Sequence, residues 1–444
     1  MKQNISNSHN TKTAQQQVQQ WVERLQHHPT LPAIELKLER TEQFMSLLGN
    51  PHLHLPPIIH MAGTNGKGST LAFLHAIINA ANMSAHRYTS PHLVHFNERF
   101  IVADMQISDD DLLQTLNDIA PYLTSHSITY FEATTALAFQ LFAQNDADFT
   151  LLEVGMGGRF DSTNIVQNPA ITAIAPISLD HTEFLGDSIA KIAFEKAGII
   201  KTNVPCVVGV QPADAIRVIE ARANELHAPL FRHGVEWQLD ILPDKSMRYH
   251  SQTLHITTNA PSLLGNHQYQ NAALAIACVD VLMQNNHNFT PQAIQTGITS
   301  ATWQGRLQRI NLGVPNEIYV DGGHNAAGAE MLAAWLQERG LKERGLQEQN
   351  MERGLHLIIG LKSDKNAHDF ITKLAPFALG LHFVPISNVT CHAPQELVKM
   401  ANSLGFTATN NTNIMQAVNN IPANEGILIC GSLYLVGEAL SLIK

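Results

Sequence analysis

The pattern of apolar and polar positions divides most of the chain into two alternating kinds of segment. Short runs in which nearly every residue is apolar predict buried parallel strands. Longer stretches of helical composition follow them, and this alternation predicts an α/β fold with a mostly parallel sheet. The strands are predicted at residues 57–61, 149–154 and 170–175, and the helices at residues 71–78, 131–144 and 211–227.

The pattern changes twice towards the C-terminus. Residues 234–258 hold short alternating runs, which predict a small antiparallel sheet. A second α/β series begins near residue 318, with strands predicted at residues 355–360, 381–384 and 426–430.

Two domains are expected, because 444 residues exceed what one ordinary core organises. Gly313 and Pro315 interrupt the chain just before the second series, so the boundary is expected at residues 310–315. The predicted domains are residues 18–310 and residues 311–444.

The composition is that of a soluble globular enzyme, with 44% apolar and 15% charged residues. A net charge of −10 argues against non-specific nucleic-acid binding. The four cysteines are widely spaced, which argues against a disulfide framework or a zinc site. No apolar run has transmembrane length and the polar N-terminus has no signal-peptide core, so we expect a cytoplasmic protein without a membrane partner.

A glycine-rich turn connects the predicted strand at residues 57–61 to the helix after it. Its sequence, residues 62–70, places backbone N–H groups at a helix N-terminus, an arrangement that holds phosphate oxygens. Lys67 can reach the β and γ phosphates of a nucleotide, and Ser69 or Thr70 can offer a hydroxyl group to Mg²⁺.

This turn departs from the general P-loop pattern. That pattern requires glycine where Met61 stands and a hydroxyl residue where Gly68 stands. An ordinary glycine-rich surface turn is therefore the alternative at this point.

Two carboxylates follow predicted strands of the first domain. Glu153 precedes a glycine-rich segment at the carboxyl end of a strand, the edge where open α/β sheets bind ligands. This position favours a role for Glu153 as a Mg²⁺ ligand over the alternative, a helix-capping or ion-paired glutamate. Asp180 and His181 follow the next strand, and the imidazole can ligate a divalent metal, although a single histidine is more often structural.

Lys196 lies in an apolar stretch that ends at Gly198, a candidate helix C-cap. A lysine in such a stretch can extend its ammonium group to solvent. Alternatively, burial lowers its pKa and exposes a nucleophilic neutral amine. The residues alone favour the first interpretation.

The second domain adds candidates near its start. Asp321 ends a predicted strand and could bind a ribose hydroxyl or a cation, and His324 could contact a phosphate. Ordinary turn and N-cap chemistry before a helix that begins near Ala326 is the alternative. Arg306 lies near the domain junction, where it could neutralise a triphosphate across the cleft.

Taken together, these motifs resemble the bacterial dihydrofolate synthase/folylpolyglutamate synthase family, within the wider muramyl-ligase superfamily. The resemblance covers about residues 34–434, and the Thr-Asn-Gly-Lys-Gly-Ser loop at residues 64–69 is similar to that superfamily's own P-loop variant. In chain order, the matching motifs lie at residues 38–40, 62–69, 88–93, 97–99, 131–132, 153–159, 161–164, 179–182, 195–199, 271–273, 305–306, 321–325 and 431–432.

The resemblance implies a P-loop ATPase domain with a mostly parallel sheet and a smaller C-terminal Rossmann-like α/β domain. It implies ATP and Mg²⁺ as cofactors, with Ser90 and Glu153 at one metal and His181 at a second. It also implies that Lys196 is carbamylated, which reverses the interpretation from the residues alone. The residues implied at the nucleotide are Thr64, Asn65, Gly66, Lys67, Gly68, Ser69, Asn271, Arg306 and Asp321, and those implied in catalysis are Lys67, Lys196, His181 and His324.

The resemblance also implies where the pterin substrate binds. Two positions depart from the family pattern: Gly323 replaces a usual alanine, and Lys37 replaces a frequent glycine beside the pterin segment. The Glu-Arg-Gly-Leu sequence that recurs at residues 338–355 is also unusual, and no function is assigned to it. The residues implied at the pterin are Ala33, Ile34, Glu35, Leu36, Phe131, Glu132, Phe160, Asp161 and Ser162.

The implied activity is an ATP-dependent ligase that adds L-glutamate to dihydropteroate and to reduced folates through an acyl phosphate, acting as a monomer. Three alternatives stay open. The chain could be a folylpolyglutamate synthase alone, a muramyl-type amino-acid ligase, or a nucleotide-binding switch without catalysis. The switch does not account for His181 or Lys196 in these motifs.

Overall fold

The computed structural model describes residues 13–27, 37–125, 128–344 and 354–443. The α-helices are α1 (Ala14–His27), α2 (Glu39–Leu47), α3 (Lys67–Ala80), α4 (Asp109–Ser125), α5 (Tyr130–Ala143), α6 (Thr182–Leu185), α7 (Ile189–Ala197), α8 (Ala213–Glu225), α9 (His267–Gln284), α10 (Pro291–Ser300), α11 (Ala326–Arg344), α12 (Ala367–Leu374), α13 (Pro394–Ser403), α14 (Ile414–Asn419) and α15 (Leu433–Ser441). Short 3₁₀ helices lie at Pro51–Leu53, Phe96–Arg99, Ser162–Ile165 and Ala375–Phe377.

The strands form three sheets. They are β1 (Ile58–Ala62), β2 (Ala85–Tyr88), β3 (Phe100–Val102), β4 (Met105–Gln106), β5 (Phe149–Glu153), β6 (Ile171–Ile174), β7 (Cys206–Val208), β8 (Leu230–Arg232), β9 (Trp237–Ile241), β10 (Met247–Ser251), β11 (His255–Thr258), β12 (Gln308–Ile310), β13 (Ile318–Val320), β14 (Leu355–Ile359), β15 (Ala378–Phe383), β16 (Ala408–Asn410) and β17 (Gly426–Cys430).

The first sheet has the order β4-β3-β2-β5-β1-β6-β7-β8 and is parallel except at its β2-β3-β4 edge. Central β1 pairs with β5 and β6, and all of its residues are buried. Helices α3, α9 and α10 pack on one face, and α1, α2, α4 and α5 pack on the other. Burial on both faces explains the continuous apolar runs that predicted these strands.

The antiparallel sheet β11-β10-β9 confirms the small sheet predicted at residues 234–258. It packs against α9, where the Tyr249 hydroxyl donates to Asp280 Oδ2 at 2.9 Å. Asp280 also accepts hydrogen bonds from Ser251 and Thr253. This buried polar network fixes the sheet on the N-terminal domain.

The second domain contains the six-stranded sheet β12-β13-β17-β14-β15-β16. All its neighbouring strands are parallel except β12, which pairs antiparallel with β13. The predicted boundary at residues 310–315 falls in the hairpin between β12 and β13. Because Gln308 pairs with Val320, β12 belongs to the second sheet although it precedes that boundary.

The predicted α/β architecture with a second, smaller α/β domain is confirmed. Each sequence-predicted strand and helix named above exists, with ends shifted by a few residues. No described helix combines the length and apolar composition needed to cross a membrane.

Gly297 allows α10 to approach the backbone of α3. A Cβ at this position would lie 2.5 Å from the Ile77 backbone nitrogen and Cα. Gly297→Ala is therefore expected to lower the free energy of unfolding by about 1–3 kcal/mol, measured by chemical denaturation. The exposed neighbour Thr296 provides a control, since Thr296→Ala should change stability by less than about 0.5 kcal/mol. Unchanged stability of Gly297→Ala would contradict this close helix contact.

Candidate active site

The predicted phosphate loop lies between β1 and α3, at the carboxyl edge of the first sheet. Gly66 caps α3 with a φ of +85°, a left-handed conformation that glycine adopts without strain. The Thr64 hydroxyl donates to the Ser178 carbonyl at 3.1 Å and accepts from the Ser178 N–H, which fixes the loop to the segment after β6. Lys67 begins α3, and its Nζ donates to the Gly63 carbonyl at 3.1 Å.

Two side chains pack closely against glycines of this loop. A Cβ at Gly66 would lie 2.3 Å from Asn271 Oδ1, and a Cβ at Gly68 would lie 2.8 Å from the Trp303 ring. Gly66 therefore requires glycine for close approach and for its backbone conformation, whereas Gly68, inside α3, requires it for close approach alone. Asn271, which the resemblance implied at the nucleotide, thus lies against this loop.

Glu153 ends β5 beside the loop and is buried. Its Oε2 accepts the Ser90 backbone N–H at 3.0 Å, and its Oε1 lies 3.9 Å from Lys67 Nζ. Burial raises the pKa of Glu153, whereas Lys67, the Ser90 N–H, Arg306 and Arg87 act in the opposite direction. The structure thereby brings both residues predicted at one metal, Ser90 and Glu153, next to the phosphate loop.

Lys196 is buried, which corrects the prediction, favoured by the residues alone, that its ammonium group extends to solvent. Its Nζ donates to the Gly63 carbonyl at 2.9 Å, the same oxygen that Lys67 contacts. Burial and the nearby charge of Lys67 lower the pKa of Lys196 to about 7. A large fraction of its side chains therefore carries a neutral amine near pH 7, the form that reacts with CO₂.

His181 precedes α6 in a left-handed conformation with a φ of +49°. Desolvation, together with the charges of Lys365, His324 and Lys196 and against the opposing effect of Asp180, lowers the pKa of its imidazole to about 4. A neutral imidazole is the form that ligates a metal.

Asp180 is the partner of several groups from the second domain. Its own burial favours the neutral acid, but His324, His181 and Lys365 together hold the pKa of this carboxyl well below its usual value. Lys365 Nζ lies 2.6 Å from Asp180 Oδ1. Sequence reasoning assigned no role to Lys365, because 185 residues separate the two partners.

Asp321, which was expected to bind a ribose hydroxyl or a cation, accepts hydrogen bonds from two backbone N–H groups of its own domain. Its Oδ2 accepts the Leu307 N–H at 2.9 Å, and its Oδ1 accepts the Gly323 N–H at 2.7 Å. Burial raises its pKa, which Arg306 and these N–H groups oppose. Any nucleotide contact by Asp321 must use its remaining lone pairs.

Arg306 and His324 lie at the same junction. Arg306 Nη1 donates to its neighbour's carbonyl, Gly305 O, at 3.1 Å. His324 Nδ1 lies 2.9 Å from the Gly322 carbonyl, so Nδ1 is the donor and Nε2 faces Asp180 at 3.4 Å. The φ of Gly323 is not positive, so its backbone conformation does not require glycine.

A cavity of about 600 Å³ lies between the two domains, bounded by residues from both. Its N-terminal wall includes Phe131, Met156 and Phe160, and its C-terminal wall includes Leu433 and Tyr434. Lys362 and Lys365 also line it. Aromatic and apolar walls with a few charged groups are typical of a site for a flat organic ligand.

The polar residues predicted at the pterin also hold the walls together. Glu132 binds Arg40 Nε at 2.9 Å and caps α5 through the Thr129 N–H. Asp161 Oδ2 accepts the Met156 N–H at 2.9 Å, and its Oδ1 accepts from Thr163.

Phe131 and Ser162 complete this wall. Phe131 packs so closely on Gly155 that a Cβ there would lie 2.3 Å from the ring. Ser162 Oγ lies 2.9 Å from the Thr135 hydroxyl. Phe131, Glu132, Phe160, Asp161 and Ser162 thus share one cavity, whereas Ala33, Ile34, Glu35 and Leu36 lie outside the described residues.

A smaller cavity of about 230 Å³ adjoins the phosphate loop and includes Gly68, Glu153 and Arg306. Arg87 also lines it, with its guanidinium 4.8 Å from the Trp303 ring centre. His75 supports Arg87, because His75 Nδ1 accepts from Arg87 Nη1 at 3.0 Å. Neither His75 nor Arg87 was predicted at the site, since no sequence motif marks a contact that only the folded sheet creates.

The donor groups fit a divalent metal held partly by a bound nucleotide. Among the described residues, no three His, Cys, Asp or Glu side chains converge on a complete metal site. Mg²⁺ commonly uses one or two protein carboxylates and completes its shell with phosphate oxygens and water. The Glu153 carboxylate and the Ser90 hydroxyl beside the phosphate loop satisfy that requirement.

Comparison with known proteins identifies the family. The Mur ligase middle domain model matches residues 61–279, and the model of the dihydrofolate synthetase C-terminal domain matches residues 308–442. The dihydrofolate synthase/folylpolyglutamate synthase of Bacillus subtilis is 32% identical, over 97% of this chain and 100% of that protein.

Solved structures agree. E. coli FolC in complex with DHPP and ADP has a TM-score of 0.83 and 29% identity, over 97% of this chain and 99% of that one. A bifunctional folylpolyglutamate synthase/dihydrofolate synthase with Mn, AMPPNP and L-glutamate bound has the same TM-score, identity and coverage. As its ordered motifs indicated, the chain belongs to the dihydrofolate synthase/folylpolyglutamate synthase family of ATP-dependent ligases.

Proposed function

We propose that this chain adds L-glutamate to dihydropteroate, forming dihydrofolate, and adds further glutamates to reduced folates. One observation supports this most directly: the 600 Å³ aromatic cavity between the two domains shares Ser90, Pro91 and Leu433 with the smaller cavity that Gly68 of the phosphate loop and the buried Glu153 line. The cavity accommodates a pterin and benzoate ring system, and the loop supplies the site for ATP. Family membership supports the same reaction.

The substrate carboxylate must be activated before an amine can displace its oxygen. Transfer of the ATP γ-phosphoryl group to that carboxylate forms an acyl phosphate and ADP, and the α-amine of glutamate then displaces phosphate to form the amide. Charge on the transferring group requires cationic donors. In this proposal Lys67 and Arg306 supply the positive charge, and the N–H groups of residues 66–69, at the start of α3, hold the phosphates. The N–H groups of Thr64 and Asn65 donate to the Pro176 carbonyl instead.

Ser90 and Glu153 would hold one Mg²⁺, and His181 with a carbamylated Lys196 a second. A bound divalent metal supplies positive charge next to the phosphate oxygens. The protein groups prepare for this in two ways. Glu153 is oriented by the Ser90 N–H, and the imidazole of His181 is kept neutral.

The cavity walls determine which acyl group is placed near the phosphate loop. Phe131 and Phe160 provide apolar contact for flat rings, and Tyr434 faces them from the other domain. Asp161 and Glu132 could accept hydrogen bonds from pterin nitrogens with lone pairs that their structural contacts leave. Both walls come from one chain, and we propose that it works as a monomer in the cytoplasm.

Glutamate addition to dihydropteroate and glutamate addition to tetrahydrofolate can be tested side by side. Purified protein with ATP and L-glutamate is expected to convert dihydropteroate to dihydrofolate and also to extend tetrahydrofolate, because the rings rather than a glutamate tail provide the binding energy. Chromatography with mass detection measures both products. Extension of tetrahydrofolate without any dihydrofolate product would identify a folylpolyglutamate synthase alone.

A UDP-muramyl substrate provides the control for the rival ligase activity. It should stimulate no phosphate release, because the superfamily shares the mechanism but the aromatic cavity suits a pterin. ATP turnover with that substrate, and none with dihydropteroate or folates, would contradict the proposed substrate class. ATP binding without any amino-acid-dependent phosphate release would indicate the nucleotide switch instead.

A further inference from the structure

Three side chains of the C-terminal domain converge on one carboxylate of the N-terminal domain. Lys365 Nζ lies 2.6 Å from Asp180 Oδ1, and their side chains are only 8% and 10% exposed. Asn325 Nδ2 donates to Asp180 Oδ2 at 3.1 Å, and His324 Nε2 lies 3.4 Å from the same oxygen. We call Asp180, His324, Asn325 and Lys365 the Asp180 cluster.

The Asp180 cluster continues into the phosphate loop. Asn325 Nδ2 also donates to Asn65 Oδ1 at 3.2 Å, and Asn65 Nδ2 donates to Ser178 Oγ at 3.2 Å. Asn325 Oδ1 meanwhile accepts the Gly328 N–H at 2.8 Å, in the first turn of α11. A single amide therefore connects the start of a C-terminal helix to the loop expected to hold ATP.

The Lys365–Asp180 ion pair lies at the cavity between the domains, from which water must be excluded during the proposed reaction. Lys365 and His324 line the cavity between the domains, as does His181, which follows Asp180 in the chain. Two buried, oppositely charged groups at 2.6 Å attract each other more strongly than an exposed pair does. Separation of the domains here would break that pair and open the cavity to solvent.

We propose that the Asp180 cluster is an interdomain latch that keeps the two domains together while the acyl phosphate exists. Asp180 and Lys365 are positioning residues in this inference, which rests on the proposed function above. When the latch holds, the amine of glutamate reaches the acyl carbon and phosphate leaves. When it fails, water attacks that carbon instead, which regenerates the original carboxylate and releases phosphate without forming an amide.

The ratio of phosphate released to amide formed tests the latch. In the wild type this ratio should be close to one, since each amide costs one ATP. Lys365→Met and Asp180→Asn should each raise it by on the order of tenfold, the size of typical coupling between sites. The double variant should raise it no further than one single variant, because both substitutions break the same pair.

Lys373→Met is the matched control. Lys373 pairs with Glu330 on the exposed surface of the same domain, away from the cavity. Its ratio should stay at the wild-type value. The assay is run below the Tm of every variant, and partial unfolding would reduce phosphate and amide together without changing their ratio.

Three results distinguish the possible failures. Equal ratios in the wild type, Lys365→Met and Asp180→Asn would overturn the latch while leaving the proposed ligase intact. Additive increases in the double variant would show that the residues act separately, which also overturns it. Absence of glutamate-dependent phosphate release from the wild type would instead remove the proposed function itself.

Discussion

Lys67→Ala is expected to reduce turnover by on the order of 10²–10³ while leaving the fold intact. Lys67 Nζ lies 3.1 Å from the Gly63 carbonyl and 3.9 Å from Glu153, at the N-terminus of α3. In the proposed reaction it stabilises charge on the transferring phosphoryl group, an interaction that alanine cannot make. Steady-state phosphate release with dihydropteroate and glutamate measures the loss.

Lys191→Ala provides the control for removal of a lysine from the same domain. Lys191 pairs with Asp187 on the surface, and its side chain is 64% exposed. Its loss should leave both turnover and stability nearly unchanged. If Lys67→Ala turned over substrate about as fast as Lys191→Ala, the proposed role of Lys67 in phosphoryl transfer would be contradicted.

Lys196→Ala is expected to lose activity that a short carboxylic acid partly restores. Lys196 donates to Gly63 from a buried position, and its pKa is lowered to about 7. In the carbamate, the neutral amine nitrogen forms a bond to the carbon of CO₂ and releases a proton, which leaves a carboxylate-like group. Added acetate or formate should replace that group in the space that alanine leaves.

Lys201→Ala separates this role from burial in general. Lys201 is partly buried, its pKa is lowered to about 8, and it donates to the Asn164 carbonyl. Short acids should not change the activity of this variant. Rescue of both variants, or of neither, would contradict the carbamate hypothesis, as would full wild-type activity in protein depleted of bicarbonate.

The carbamate also predicts a pH dependence with a definite sign. The amine reacts with CO₂ only when it is deprotonated, and a folded-state pKa of about 7 keeps much of it neutral above pH 7. ¹³C NMR of protein in ¹³C-bicarbonate should therefore show a carbamate signal that weakens as the pH falls below 7. A signal absent at pH 8 would contradict this assignment.

The fold was largely predictable because its signals are local. The continuous apolar run of β1, the glycine turn and the helix α3 succeed each other within about 25 residues. The hairpin of β12 with β13 was harder to predict, because Gln308–Ile310 has no strong apolar pattern. Its pairing with the edge of the second sheet, rather than its sequence, makes it a strand.

The site was predictable only where a motif stays together in sequence. The phosphate loop and Glu153 follow strands directly, and parallel strands bring their carboxyl ends to one edge. Lys196 reaches Gly63 across 133 residues, so its burial had no local signal and needed the family resemblance. The Lys365–Asp180 pair and the Trp303 contact with Gly68 depend on how the two domains and their connection fold together.

Formation of the acyl phosphate can be followed by the transfer of oxygen from the substrate carboxylate to phosphate. Dihydropteroate labelled with ¹⁸O in its carboxylate is incubated with the protein, ATP and L-glutamate, and the released phosphate is analysed by mass spectrometry. Because the carboxylate oxygen leaves with the phosphoryl group, each amide formed should deliver one ¹⁸O atom to phosphate. Amide formation accompanied by unlabelled phosphate would contradict the mechanism.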